Sequence, residues 1–341
     1  MNLPLSVLDL APIGSGATST QALRDSLRLA QHVERLGYHR LWYAEHHGMP
    51  GIASSAPDLL IAHAAQLTSR LRLGSGGVML PNHAPLAVAE RFGILESLHP
   101  GRIDLGIGRA PGGDARTAHA LRKDPRAVED FTSDVRELID LLSGRTPTDQ
   151  PFGAMPAVPR AEGVPEVWLL GSSGFSAQLA GVLGLPFSFA HHFSPQNTLP
   201  AVKLYRERFA QAGHAHAPRV LLAVGVVAAD TQERATEVAS SLALSWVRIH
   251  TGKTGPIPSP EEARRHPWTD TERAIADSFL STQVIGDAAA VHDGLTRLAR
   301  ATGADELMLS TMAHRVEDRM RSYELVAETF GLATDLRASA R

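Results

Sequence analysis

The sequence contains no cysteine in 341 residues. Disulfide bridges, thiolate nucleophiles and zinc–thiolate sites are therefore excluded together, and a reducing, cytoplasmic setting is compatible with the composition. An excess of one charge is also missing. Lys and Arg number 33 against 36 Asp and Glu, for a formal net charge of −3, so nothing electrostatic argues for nucleic acid or an anionic membrane as partner. No run approaches the ~18 apolar residues that span a bilayer. The opening stretch, MNLPLSVLDLAPIG, lacks a basic leader and a long apolar segment, and reads as a first strand rather than a signal peptide. No GxSxG elbow, no P-loop and no GxGxxG in a strand-to-helix setting occurs, which weakens the α/β-hydrolase and nucleotide-fold readings.

What is present is an alternation. Hydrophobic residues make up 43% and charged residues 20%, ordinary for a globular chain that can bury a large core. Short apolar runs predict strands at 3–10, 39–44, 72–80, 102–108, 166–171, 186–192, 219–228 and 305–311. Longer amphipathic stretches follow nearly all of them. Thr18-x-x-Gln21 resembles a capping box before a helix carrying Leu23, Leu27, Ala30 and Val33, and Val128, Phe131, Val135, Leu138 and Leu142 form one face of another. Eight strands separated by helices predict parallel βαβ units. Their number favours an α/β fold closed as a (β/α)8 TIM barrel, one domain over 1–341, against an open doubly wound sheet. Thr251 to Thr282 breaks the rhythm with Pro, Gly and charge, and Ser259-Pro260-Glu261-Glu262 looks like a short helix start. This segment reads as an insertion after strand 7, before its helix: a mobile flap, or equally a disordered surface loop.

In a barrel the loops after the strands gather on one face, so strand ends carry the information. Strand 2 ends in Glu45-His46-His47, strand 3 holds Gly74, Gly76 and Gly77 before Asn82-His83, and strand 4 ends at Gly108-Arg109. Strand 5 ends in Gly171-Ser172-Ser173-Gly174, strand 6 in His191-His192, and strand 8 leads to His314. Small residues opening a helix, as in GSSGFS (171–176), suit an anion at the helix N-terminus, or simply a serine N-cap. Arg109 on the same rim offers a second charge for a phosphate, or a surface ion pair. Glycines inside strand 3 mark close backbone approach, to a flat ring or to a crowded barrel corner. His46 and His47 cannot both face one site if the strand continues through them. The histidines could converge on a metal, but no ligand spacing supports it.

Four segments carry a resemblance across the whole chain: LGYHRLWYAEHHGMPGIASSAPDLLIAHAA, LRLGSGGVMLPNHAPLAVAERFGILESLHPGRIDLGIGRAPGGD, VWLLGSSGFSAQLAGVLGLPFSFAHHF and VIGDAAAVHDGLTRLARATGADELMLSTMAH. In them the chain resembles the bacterial luciferase-like flavin monooxygenases, in their single-subunit branch. The resemblance implies a (β/α)8 barrel with an insertion after strand 7. It implies FMN as cofactor, supplied reduced by a separate reductase, which reacts with O2 to give a C4a-hydroperoxide that oxygenates an organic substrate. It further implies that His46 lies beside the flavin and assists this chemistry, and that Gly76-Gly77 forms a non-prolyl cis peptide under the ring. Arg109, Ser172, Ser173 and Ser176, with the turn at Gly171, would hold the phosphate. A homodimer through barrel helices is implied as well. Two departures stand out. Gly108 occupies the place of a reactive cysteine in the light-emitting subunit, and Gly171 that of a glutamate, so luminescence is not expected. Glu45 is read as orienting His47 or the loop behind it, and the segment 251–282 as a lid. On the same barrel, F420-dependent hydride transfer, a non-catalytic flavin-binding protein and a metal-dependent hydrolase are the alternatives.

Overall fold

Arg40 at the start of its strand fixes one end of the molecule. The computed structural model describes residues 3–110, 115–121, 129–145 and 156–332. In chain order the elements are β1 (Leu5–Asp9), α1 (Ser19–Arg35), β2 (Arg40–Tyr43), α2 (Pro57–Leu67), β3 (Arg72–Met79), α3 (Pro85–Leu98) and β4 (Ile103–Gly108). Then come α4 (Ala115–Ala120), α5 (Phe131–Ser143), β5 (Glu166–Gly171), α6 (Gly174–Leu183), β6 (Phe187–Ala190), α7 (Thr198–Ala212) and β7 (Val220–Ala228). The last are α8 (Gln232–His250), α9 (Pro260–Arg265), α10 (Asp270–Leu280), β8 (Val284–Gly286), α11 (Ala288–Thr302), β9 (Glu306–Ser310) and α12 (Val316–Phe330). Val128, placed by its pattern on the helix face of α5, lies outside the described residues.

All strand pairs are parallel. Neighbours run β6-β5-β4-β3-β2-β1-β9-β7, and pairing of Phe187 with Val220 closes the ring. The eight predicted strands are the ring strands, and the fold is a (β/α)8 barrel. β8 is an addition: it pairs only with β7, Val226 against Val284, outside the ring.

The period-2 alternation of a strand separates two cores. Leu8, Trp42, Trp168, Leu221, Ala223 and Met308 point into the barrel. Val7, Leu41, Tyr43, Leu73, Leu169, Leu222 and Leu307 point outward into the larger core under the helices. Both faces are covered, which is why the strands read as continuous apolar runs.

The N-terminal end of the barrel is closed by charge. Arg40, 2% exposed, donates to Asp104 at 2.8 Å, to Glu306 at 2.8 Å and to Glu166 at 3.1 Å. Its guanidinium lies 5.0 Å from the centre of the Trp168 ring, and Trp42 Nε1 donates to Asp104 at 2.9 Å. Burial disfavours the Arg40 charge, but the three carboxylates outweigh burial and raise its pKa. Such a network tolerates no missing partner, because the remaining charge would be buried alone.

Two local expectations are refined. Thr18 Oγ1 accepts from the Gln21 amide at 3.2 Å, but Gln21 Nε2 turns to Asp25 at 3.0 Å, so only half of the expected capping box forms. Reciprocal boxes occur instead at Ser259/Glu262 and Thr269/Glu272, starting α9 and α10. The stretch 251–282 thus carries two helices. It is also fastened: the Ser15 amide donates to Ile257 O, and the Ile257 amide to Ile13 O, both at 2.8 Å. The interruption is wider than composition suggests. α8 packs Ala235, Val238 and Leu242 in a separate apolar cluster with Val227 and Ala313, whereas α11 returns Val291, Leu295 and Ala299 to the main core. The insertion after strand 7 therefore takes in α8 as well as the stretch 251–282, and α11 is the helix that covers the barrel there. No helix among the described residues is long and apolar enough to cross a membrane.

Candidate active site

Every ring strand sends side chains to one cavity of about 270 Å³ at the C-terminal rim, opposite the Arg40 network. The residues that the resemblance assigns to the site all line it: His46, Gly76, Gly77, Arg109, Gly171, Ser172, Ser173 and Ser176. The strand alternation does the sorting. Trp42, Ala44 and His46 face the cavity, and Glu45 and His47 face away. Ser188, Ala190 and His192 repeat the pattern on β6, while His191 turns to Thr198 Oγ1 at 2.8 Å.

Glu45 anchors this rim. It is 1% exposed, accepts from His47 Nε2 at 2.8 Å and His83 Nε2 at 2.9 Å, and accepts the Met79 amide at 2.9 Å. Burial alone would raise the pKa of this carboxyl. The bond and charge of His83, then His47 and the Met79 amide, outweigh it and hold the carboxyl at about 2. Glu45 therefore orients His47, as expected, and it also ties β2 to the end of β3. His83 and His314 are occupied elsewhere, His83 by Glu45 and His314 by the Ser15 carbonyl at 3.1 Å.

His46 is different. Its Nδ1 is shielded from solvent and has no hydrogen-bond partner among the described residues. Burial lowers its pKa below the ordinary 6.5, partly countered by Glu45 and reinforced by His47. An imidazole nitrogen left unpaired in this way is a group held for a ligand, or one that carries a standing penalty.

The peptide Gly76–Gly77 is cis, as the resemblance implies, and lies where the register of β3 on β4 shifts between Ser75 and Val78. The reason for glycine here is packing. A Cβ at Gly76 would stand 2.6 Å from Leu8 Cδ1, and one at Gly77 2.8 Å from Gly106 O. Of the two explanations that the sequence allowed, the crowded barrel corner is the one the geometry supports.

The opposite end of the cavity is polar. Ser173 is the N-cap residue of α6, yet its hydroxyl makes no capping bond, so it and the first amides of α6 remain available. Arg109 stacks on Phe175, with its guanidinium carbon 4.0 Å from the ring centre, and has no carboxylate partner among the described residues. An unpaired guanidinium beside a helix N-terminus and free hydroxyls is an anion site by its chemistry.

A second cavity, of about 260 Å³, adjoins the first; Leu10, His46, His192 and Phe193 line both. His192 was visible in the sequence but unassigned. Its Nδ1–H donates to Ala223 O at 3.0 Å, which leaves Nε2 as an acceptor. Burial, with His191 and His46 nearby, lowers its pKa to about 4. No group of three or more His, Asp or Glu among the described residues is placed to hold a metal ion.

Residues 3–306 match the family model described as luciferase-like monooxygenase. The chain belongs to the luciferase-like monooxygenase family. A luciferase-like monooxygenase of Escherichia coli strain K12 is 43% identical over 327 residues, 96% of each chain. The N-acetyl-S-alkylcysteine monooxygenase of Bacillus subtilis strain 168 is 33% identical over 330 residues, covering 95% of this chain and 97% of its own. The crystal structure of apo-MsnO8 matches with a TM-score of 0.87 at 38% identity, over 97% of this chain and 98% of that one. At the level of fold alone, the FMN complex of a type II Baeyer-Villiger monooxygenase from Pseudomonas putida matches at 0.73 with 17% identity over 97% and 98% of the two chains. An F420-dependent secondary alcohol dehydrogenase also matches at 0.73, with 13% identity over 98% and 99%. This luciferase-like monooxygenase is thus an enzyme of the barrel class, with its rim built from the residues described above.

Proposed function

We propose that the first cavity binds reduced FMN, delivered by a separate reductase, and that the enzyme uses it with O2 to oxygenate an organic molecule held in the second cavity. One oxygen atom enters the substrate and the other leaves as water. The observation that carries this reading is the position of His46: one imidazole, its Nδ1 unpaired, shared between an anion-ended cavity and an apolar one.

The residues fit the cofactor. Arg109, Ser172, Ser173, Ser176 and the turn at Gly171 would hold the phosphate. Leu8, Leu170 and Met308 supply apolar wall for the ring system, beside Gly76 and Gly77. Bound and reduced, the flavin supplies the two electrons that activate O2. The chain contributes position, dryness and a proton carrier. Arg109 and the α6 amides orient the anion. His46, kept neutral near pH 7 by burial, accepts and returns a proton at the boundary of the two cavities. Ile257 brings the insertion into the wall of the second cavity, so the segment 251–282 serves as its cover and excludes water. Leu59 and Leu67 on α2, and Ile94 and Leu98 on α3, stay exposed, which supports a homodimer through these helices. Sedimentation of Ile94→Glu as a monomer where the parent sediments as a dimer would bear that out.

Anaerobic titration with reduced FMN, followed by admission of O2, tests the main reading. The expected result is tight binding of the reduced form and an oxygenation that requires it. Reduction of F420 by an alcohol, without O2 uptake, would replace the reading with hydride transfer. Flavin binding without a rate that His46→Ala can lower would reduce the protein to a flavin carrier.

A further inference from the structure

We propose that the second cavity selects an uncharged, largely apolar ring compound bearing a hydrogen-bond donor such as a hydroxyl or N–H. The name substrate for this ligand rests on the oxygenation reading; its chemical class does not.

The first argument is charge. Among the described residues no Lys, Arg, Asp or Glu lines this cavity. Its ionisable groups are His46 and His192, and burial keeps both imidazoles neutral at neutral pH. A carboxylate, phosphate or ammonium group entering here would lose its water and meet no counter-charge. The first cavity offers the reverse, with Arg109 and the start of α6 at its polar end. The two adjoining spaces therefore sort ligands by charge: the anion goes to one and the neutral molecule to the other.

The second argument is shape. Trp246 lies nearly parallel to Phe279, at 4.6 Å and 18°, and to Phe193, at 6.4 Å and 22°. All three rings line the cavity. They form an aromatic stack in the cavity wall, which Leu242, Ile257 and Met312 complete with aliphatic surface. Flat π surfaces of this kind favour stacked or edge-on rings over flexible polar chains.

The third argument is the sense of the hydrogen bonds. Gln283 Nε2 is committed to Thr282 Oγ1 at 2.6 Å and to Phe279 O at 3.4 Å, which leaves Oε1 to accept. The amide occupies this place because residue 225 is glycine: a Cβ there would stand 1.6 Å from Gln283 Oε1. His192 has spent its Nδ1–H on the Ala223 carbonyl, so its Nε2 also accepts. Two fixed acceptors in an apolar space favour a donor on the ligand, while the Ser245 and Ser310 hydroxyls that also line it can serve either sense.

The test is calorimetric titration of the whole chain, without flavin, with two probes of one shape: 2-naphthol and naphthalene-2-carboxylate. 2-Naphthol should bind saturably, and the carboxylate about 100-fold more weakly or worse. Gln283→Leu should weaken 2-naphthol about tenfold and leave naphthalene unchanged. Ile249→Arg adds a cation at the rim of the cavity, at a position 39% exposed in α8 where the fold tolerates it. It should strengthen the carboxylate at least tenfold. Equal affinity for the two probes, no saturable binding of 2-naphthol, or no response of the carboxylate to Ile249→Arg would each overturn the proposal. No flavin or O2 enters these measurements. A chain that discriminates as expected and never oxygenates would refute the functional reading alone.

Discussion

Glu45 accepts the backbone amide of Met79 at 2.9 Å, so a side chain at the end of one ring strand finishes the hydrogen bonding of the next. The same carboxylate receives His47 and His83. The strand end that bears His46 and the strand end that follows the Gly76–Gly77 peptide are therefore fixed relative to each other by one buried anion.

That arrangement has a pH signature. The folded-state pKa of Glu45 lies at about 2, below its ordinary 4.5. Its stabilisation is thus complete above pH 4.5 and is lost as pH falls towards 2, by about 3 kcal/mol. Denaturant unfolding of the parent and of Glu45→Gln at several pH values should show the parent losing this increment and the variant lacking it throughout.

His192 titrates in a separate window. Its folded pKa of about 4 lies below the ordinary 6.5, so the unfolded chain binds the proton first. Stability is full above pH 6.5 and declines between 6.5 and 4, by up to about 3 kcal/mol. His192→Gln should flatten the stability curve there and leave the Glu45 window intact. In the proposed oxygenation, His46 carries the rate instead. His46→Ala should lower oxygenation by about 10²-fold or more, and His46→Asn should abolish the acidic limb of the rate profile, which in the parent lies below pH 6.5.

If Arg109 holds the phosphate as proposed, its removal separates phosphate recognition from ring recognition. Arg109→Ala should weaken reduced FMN by about 10- to 100-fold, the worth of a charge-assisted hydrogen bond or two, and leave riboflavin unchanged. Parallel fluorescence titrations of the two ligands measure the ratio. If riboflavin weakens equally, Arg109 serves the fold or the ring, not the phosphate.

The glycines of the barrel corner should rank by what an added methyl would strike. At Gly106 it would stand 2.1 Å from the Ser75 carbonyl oxygen, and at Gly77 2.8 Å from the Gly106 carbonyl oxygen. At Gly76 the nearest atom is Leu8 Cδ1, the end of a side chain that can turn aside. Thermal unfolding of the three alanine variants should place Gly106→Ala as the most destabilised, Gly77→Ala next, and Gly76→Ala mildest, across a range of about 1–3 kcal/mol.

The ring of strands was legible because each strand is a buried apolar run with a helix behind it. Val284–Gly286 was not, since three residues carry no periodic signal. That α8 belongs with the insertion was not legible for a related reason: it carries an apolar face like a barrel helix, and only its packing shows that it leans on α10 and β8. At the site, strand alternation in EHH limited the choice to one of His46 and His47, and the resemblance pointed to His46. The same rule applied to 188, 190 and 192 would have brought in His192, whose neighbour His191 obscured which of the two faces inward. The sequence also left open whether the glycines of β3 serve a ligand or the barrel, because that depends on which atom stands opposite each missing Cβ.

The salt-bridged plug around Arg40 makes the barrel a cul-de-sac. With one end stoppered by charge, the described residues leave the two cavities to be reached from the opposite rim. Phe193 stands at that rim, 54% exposed and touching both chambers.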